Sequence, residues 1–527
     1  MKKFTSILLA ACIIIGILSS CGNSGQSSTS TASRSTDTTG TVDTNMLQNA
    51  LANEDLIEIT MAFYCSTDPN ASELQNVENA INEISEAQIG VHVTLLPLSL
   101  GQWDQQINLM ISANEQLDLM PTFFGGSTTL LSMKSSNQLL ALDDLLEQYG
   151  QDILNLIRPE YLNTTTWNDQ IYAVPIHRDI VPNLYFNMRS DILKELGLEE
   201  KANNLTSMQD IEEILASVKE NTDLIPLAPG GQTGILNFSN VLLTEDFSNA
   251  VTYDALVDTY AVTLSTDPYT VVNLYATEEY EASVRLIHDW FEKGYIHPDA
   301  ATTTDDNYAF VKNGKCFGFF SAGENATAGT SSQKCGYEML MVKIYSQPVT
   351  TSNVNQLNWG IPVTAREPEA AMKFMNLMFS NADIVNLLNY GIEGTDYIVK
   401  EDGTLDYPEG MDATNTLYNM NETWLFGNQY LAKCWTGLAP NTRETSKEIN
   451  ERAQLSPLIG FTVNTDNIST EITNMTSAYN EFVRGFNSGV LDVDSQLPVF
   501  ISKLEAGGID SIITEVQGQL DTWKSTQ

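Results

Sequence analysis

Two short apolar runs, Ile171–Ile176 and Leu184–Met188, lie close together but are separated by His177-Arg178-Asp179 and by Pro175 and Pro182. Proline fixes φ and has no N–H to give a ladder, so one continuous strand through this stretch is disfavoured. The pattern predicts a strand that ends, a charged bend, and a second strand that begins elsewhere. Such a passage leads from one lobe to another. Next comes an amphipathic helix with Ser190 as its expected cap, Ile192, Leu193 and Leu196 on one face, and Gly197 as its stop.

Before this passage the period alternates. Glu54–Tyr64 reads as a strand, Glu73–Ile89 as a helix with Leu74, Val77, Ile81 and Ile84 on one face, and Val91–Leu98 as a second strand. Trp103–Ala113 reads as another helix, and Leu117–Met120 leads into Pro121-Thr122-Phe123-Phe124-Gly125-Gly126. Strand and helix in alternation imply a parallel α/β sheet, with ligands beyond the carboxyl ends of its strands. After the passage, helices are expected over Leu205–Glu220, Ala276–Lys293 and Glu369–Asn389.

Several phrases resemble the extracellular solute-binding proteins (family 1 type) of ABC importers. They are Ile171-Tyr172-Ala173-Val174-Pro175, Leu184-Tyr185-Phe186-Asn187 and the helix Asp191–Leu198. Asn389-Tyr390-Gly391-Ile392-Glu393-Gly394, with Tyr397, resembles a Firmicutes lipoprotein subgroup, as does the C-terminal stretch Leu497–Asp510, which departs from it at Gly507. The resemblance implies a two-lobed, periplasmic-binding-protein-like α/β fold (Venus flytrap, type II) with three interlobe crossovers. Expected boundaries are 53–177 and 306–360 for lobe one, 178–305 and 361–455 for lobe two, and 456–527 for a family-specific region packed on the lobes. The second crossing is expected after Asn313-Gly314-Lys315 and the third at Leu357–Val363, which contains Trp359.

The amino end changes the picture. Lys2-Lys3 and the apolar run Ile7–Leu18 form a signal-peptide pattern over residues 1–20, too short for the ~20 residues of a spanning helix. Leu18-Ser19-Ser20-Cys21 resembles the bacterial lipobox, which implies lipidation of Cys21 and cleavage before it. Of residues 22–44, 13 of 23 are Ser or Thr, so residues 21–52 are expected to be a flexible tether. A lipid-anchored protein on the outer face of a cell membrane, Gram-positive by this resemblance, is the expectation.

Composition narrows the chemistry. A formal charge of −41 lacks the basic footprint that nucleic-acid binding needs. The six cysteines show no metal-type spacing, although Cys316 and Cys335 are close enough in sequence for a local disulfide. No G-x-S-x-G, Walker loop or strand-placed G-x-G-x-x-G occurs, so no enzyme, cofactor or metal is expected.

Sugars offer flat C–H faces ringed by hydroxyls, and a site for them needs aromatic plates beside polar groups. Candidates in the first lobe are Tyr64, Asp68 and Phe124, and in the crossings Trp359 together with Arg178 and Asp179, which either bond ligand hydroxyls or form a hinge ion pair. Trp435 is the expected plate of the second lobe. The function expected is a monomeric receptor that captures a carbohydrate and delivers it to ABC permease subunits. A peptide or other polar-solute receptor, or a secreted carbohydrate-active enzyme, is the alternative.

Overall fold

The computed structural model describes residues 56–526, apart from 67, 124–125, 231–234, 236–239, 243–245, 304, 324–327 and 414. Cys21, the signal peptide and the tether lie outside the described residues, as does Phe124.

Strand Ile57–Cys65 pairs in parallel with Val91–Ser99. Between them runs helix Ala71–Ile89, capped by the Asn70 side chain and ended by Gly90 at φ 69°. Met61 forms a parallel bridge with Leu119, just before strand Met120–Thr122. That strand lies antiparallel to Asn358–Gly360, which in turn lies antiparallel to Val174–Pro175. Two reversals restore direction. The carboxyl ends of all four segments, at Cys65, Ser99, Thr122 and Pro175, therefore share one edge, and Pro175 leads directly into the first crossing.

The second sheet has the mirror relationship. Asn183–Arg189 begins at the hinge, and Cys316–Gly323 and Met339–Ser346 run antiparallel to it. Gly323 and Ser346 both end opposite Asn183, and Ile225–Leu227 is parallel to Cys316–Gly323. The carboxyl ends of Ile225–Leu227, Cys316–Gly323 and Met339–Ser346 thus point back toward the crossings, as do the four named in the first sheet, and α/β sheets place ligands at such ends.

These pairings correct the expected lobe boundaries. Residues 316–346 belong with the second lobe, because the strand after Asn313-Gly314-Lys315 pairs with Asn183–Arg189 instead of returning. The stretch after Asn358–Gly360 belongs with the first. Helices Pro368–Ser380 and Ala382–Tyr390 bury Met372, Phe374, Met375, Met378 and Leu388 in the same core as Phe63, Trp103 and Val174. One helix was expected there, but Asn381 divides it, its side chain accepting from Asp383 and Ile384 N–H. The later crossings lie at Ser346–Val349 and around Gln454–Pro457. They meet where Val349 N–H donates to the Gln454 carbonyl over 2.8 Å and Ser456 N–H to the Val349 carbonyl over 2.9 Å.

After the third crossing, helices Ser469–Asn487, Val493–Gly507 and Ile509–Thr526 share a separate core with the antiparallel strands Val251–Val257, Ala261–Leu264 and Asp267–Val272. Residues Asp55–Gln527 form one compact unit. Smaller expectations also change. Ser190 is the first residue of helix Ser190–Leu196, and its position before Asp191 leaves Arg189 at the cap. Cys316 and Cys335 are free thiols buried in one small cluster with Phe310, Val311 and Phe319.

Candidate functional site at the carboxyl edge of the first sheet

The strand Ile57–Cys65 buries Met61, Ala62 and Phe63 and then emerges at Tyr64, which is half-buried. At the same edge the chain after Thr122 brings up Phe123. The Tyr64 and Phe123 ring centroids are 5.5 Å apart. A third ring comes from far along the chain. Trp424 lies 6.0 Å from Tyr64, with an interplanar angle of 34°, and 6.5 Å from Phe123. Buried Trp103 backs Phe123 at 5.8 Å and donates its indole N–H to the Thr128 hydroxyl over 3.0 Å. The outcome is an aromatic ledge whose partly open faces are Tyr64 and Trp424.

Polar groups flank it. Ser66 and Asp68 are exposed, and Glu422 is only 8% exposed. The Cys65 thiol donates to Asp68 over 3.6 Å, and burial, with that bond, pushes it up to about 12. A thiol held in that form is not a nucleophile. Burial and the nearby Glu422 carboxylate raise the Tyr64 phenol. Burial also raises Glu422 itself, while hydrogen bonds with Ser66 and Trp424 pull it back.

The ledge connects to the first crossing through hydrogen bonds. Gln429 donates to the Thr423 hydroxyl over 3.3 Å, and its amide oxygen accepts the Asp179 N–H over 2.8 Å. The Asn450 side chain accepts from Ile180 N–H over 2.8 Å and donates to the Asp179 carboxylate over 3.1 Å. Arg178 donates to the Asp179 carbonyl over 2.9 Å and to Gln356 over 3.3 Å. Arg178 and Asp179 are both buried, and these bonds run to the hinge's own groups. Beside them His177 packs edge-on to Tyr430, and burial, with Lys447, lowers its pKa to about 4. It is neutral at physiological pH.

The two tryptophans expected as plates have other places. Trp359 is fully buried, with its indole N–H on the Leu425 carbonyl, and leaves no face for a ligand. Trp435 stands on the first lobe, not the second, stacked on Tyr407 at 4.4 Å and edge-on to Tyr390. Trp424 is the residue that sequence reasoning passed over. Among the described residues, no group of three or more His, Cys, Asp or Glu could hold a metal, and no helix is long and apolar enough to cross a membrane.

Residues 71–384 match the bacterial extracellular solute-binding protein family. The chain belongs to that family. Residues 457–525 of this solute-binding protein also match a domain of unknown function. A "Carbohydrate ABC transporter substrate-binding protein" of Streptococcus pneumoniae serotype 4 is 24% identical over 443 residues, covering 84% of this chain and 86% of that one. The crystal structure of the N-glycan transport solute-binding protein NgtS from S. pneumoniae is 24% identical with a TM-score of 0.74, covering 89% of this chain and 100% of that one. Its complex with Man5GlcNAc gives 22% identity and a TM-score of 0.62, covering 89% and 99%. The solute-binding protein described here thus shares their two-lobed α/β fold, as its two sheets and three crossings indicate.

Proposed function

We propose that this solute-binding protein captures an oligosaccharide between its lobes and delivers it, as a monomer, to the permease subunits of an ABC importer. The observation that carries the reading is the Tyr64–Trp424 ledge, two aromatic faces rimmed by Ser66, Asp68 and Glu422 at the edge that meets the hinge. Aromatic faces suit the C–H faces of a sugar, and the rim suits its hydroxyls. The pneumococcal relatives, one a carbohydrate transporter's substrate-binding protein and one in complex with Man5GlcNAc, support the same class. Closure follows if the sugar touches both lobes, because a ligand shifts the equilibrium only by its differential affinity for the two states.

No chemistry is done on the captured sugar. The reading is supported by Cys65, a thiol with its proton held, and by His177, a neutral ring with a weakened base. The lipobox at Cys21 and the Ser/Thr tether support attachment to the outer face of the membrane by lipid. Replacing Cys21 by Ser should release the protein from membranes and abolish labelling by radioactive palmitate.

The deciding experiment melts the chain from Asn45 onward against a panel of glycans and short peptides. A ligand at 100 times its Kd adds about 2.7 kcal/mol of stability. A shift with one glycan class, and full recovery of that glycan unchanged, supports the reading. A shift with peptides alone, or disappearance of the glycan, overturns it.

A further inference from the structure

We propose that Asp254 is a sugar-binding residue of the second lobe, its carboxylate taking the hydroxyls of a saccharide unit lodged between the lobes. The inference rests on the oligosaccharide reading above and supplies what the ledge lacks, since Tyr64, Trp424 and their polar rim all stand on the first lobe. Closure needs a ligand that the second lobe also holds.

Asp254 belongs to strand Val251–Val257 and lines a pocket of about 480 Å³, within the ~300–1,000 Å³ usual for small-molecule sites. Both lobes supply its walls. Leu131, in helix Leu130–Ser135, comes from the first lobe, and Asp254 and Leu256 come from the second. Thr350 and Thr351, just past the second crossing, and Leu458, just past the third, complete the lining that matters here. The pocket therefore sits where the two lobes meet the hinge.

The Asp254 carboxylate is held on one side only. One oxygen accepts the Ser456 hydroxyl, and that hydroxyl in turn accepts the Leu458 N–H over 2.9 Å. Ser456 N–H donates to the Val349 carbonyl over 2.9 Å, so the side chain is braced against both later crossings. No donor among the described residues meets its other oxygen. The nearby threonine hydroxyls are engaged elsewhere, Thr350 with Asn353 over 2.9 Å and Thr351 with the Leu458 carbonyl over 3.2 Å. Asp254 is also the one ionisable group among the described residues lining the pocket, so no cation there offsets its charge. Burial pushes its carboxyl up to about 6, although the Ser456 bond pulls it back. A half-buried carboxylate with an idle oxygen between apolar walls is costly as it stands. It fits a ligand with hydroxyl donors at its edge and C–H faces for Leu131 and Leu256, which describes a sugar unit.

The test separates a group awaiting a ligand from a mere brace for the crossing. A brace loses stability when it is altered. A carboxylate short of donors does the opposite. Its folded pKa is raised above the unfolded value near 4, so ionisation above about pH 6 destabilises the fold, and Asp254→Asn relieves that. At pH 8 without sugar, Asp254→Asn should therefore melt no lower than the wild type. With Man5GlcNAc as the probe, or whichever panel glycan binds the wild type, its affinity should fall about tenfold by calorimetric titration. Ser456→Ala, which keeps the carboxylate, should lose less. Unchanged affinity in Asp254→Asn overturns the proposal. A lower melting temperature without glycan, or failure of that variant to fold, overturns it as well, because Asp254 is then a brace. Equal losses of affinity in Asp254→Asn and Ser456→Ala do the same, since the residue then acts through the crossing. If no panel glycan binds the wild type, the oligosaccharide reading falls and takes this assignment with it.

Discussion

Trp359 donates its indole N–H to the carbonyl oxygen of Leu425 over 2.7 Å, and Leu425 is the neighbour of Trp424. Trp435, from the other side, donates to Asn421 over 3.0 Å. Two tryptophans therefore hold the short turn that presents the third. Their indoles are used as hydrogen-bond donors toward the protein, and only Trp424 keeps a face beside Tyr64.

This division of labour separates the mutants. Trp424→Ala and Tyr64→Ala should each weaken glycan binding by at least about 1 kcal/mol, roughly fivefold, while the urea midpoint stays close to wild type. Trp359→Ala should instead lose about 3–5 kcal/mol of stability, because a fully buried ring is removed. Calorimetric titration beside urea unfolding checks both, and a Trp424→Ala protein that binds normally would sink the ledge as the site.

Asn450→Ala removes the acceptor that holds the Ile180 N–H and the donor to the Asp179 carboxylate in the first crossing. A buried N–H left without its partner costs about 1–3 kcal/mol. Urea unfolding should show that loss, and a variant as stable as the wild type would mean that water replaces the side chain.

Asp396 gives a pH dependence of known sign. Burial, and then Glu73 beside it, raise its carboxyl to about 6. The unfolded group titrates near 4, so the folded protein binds the proton more tightly. The contribution to stability is fully present below about pH 4 and is lost as pH rises through about 6. Asp396→Asn keeps an oxygen for the Ile392 N–H that now donates to Asp396. The variant should be more stable than wild type at pH 8, and its urea midpoint should change less between pH 4 and pH 6. An identical pH profile in the two proteins contradicts the assignment.

Gly427 joins the ledge turn to the hinge at φ 52°, and its carbonyl accepts the His177 N–H over 2.9 Å. A Cβ there would stand 2.3 Å from the Met378 carbonyl oxygen. Gly427→Ala should therefore cost well over about 1 kcal/mol, measured by thermal unfolding. Binding should suffer too, because the turn carrying Trp424 must move.

Much of the fold was legible because its signals are local. The alternation from Ile57 to Thr122, the Gly197 stop and the first crossing between Pro175 and Pro182 all follow from short-range rules. The second crossing was not, because Gln347-Pro348 interrupts the chain with no change in composition. Strand Cys316–Gly323 is buried along Cys316–Phe320 on both faces, so its pattern does not say which sheet it joins. The site was half legible. Tyr64 stands at a strand end that sequence identifies, while its partner Trp424 comes from the other end of the lobe. Nothing local distinguishes Trp424 from Trp435, since only tertiary contacts decide which indole is covered.

The C-terminal core has a consequence for how the molecule comes into being. Strands Val251–Val257, Ala261–Leu264 and Asp267–Val272 leave the ribosome long before the helices from Ser469 onward that cover Tyr260, Val262 and Val271. Pairing so distant in sequence is slow to form, and uncovered sheet faces aggregate. Until the final helix docks, the second lobe carries a bare apolar face. A chain cut short after Leu455 should therefore combine a finished first lobe with an unfinished, sticky second one.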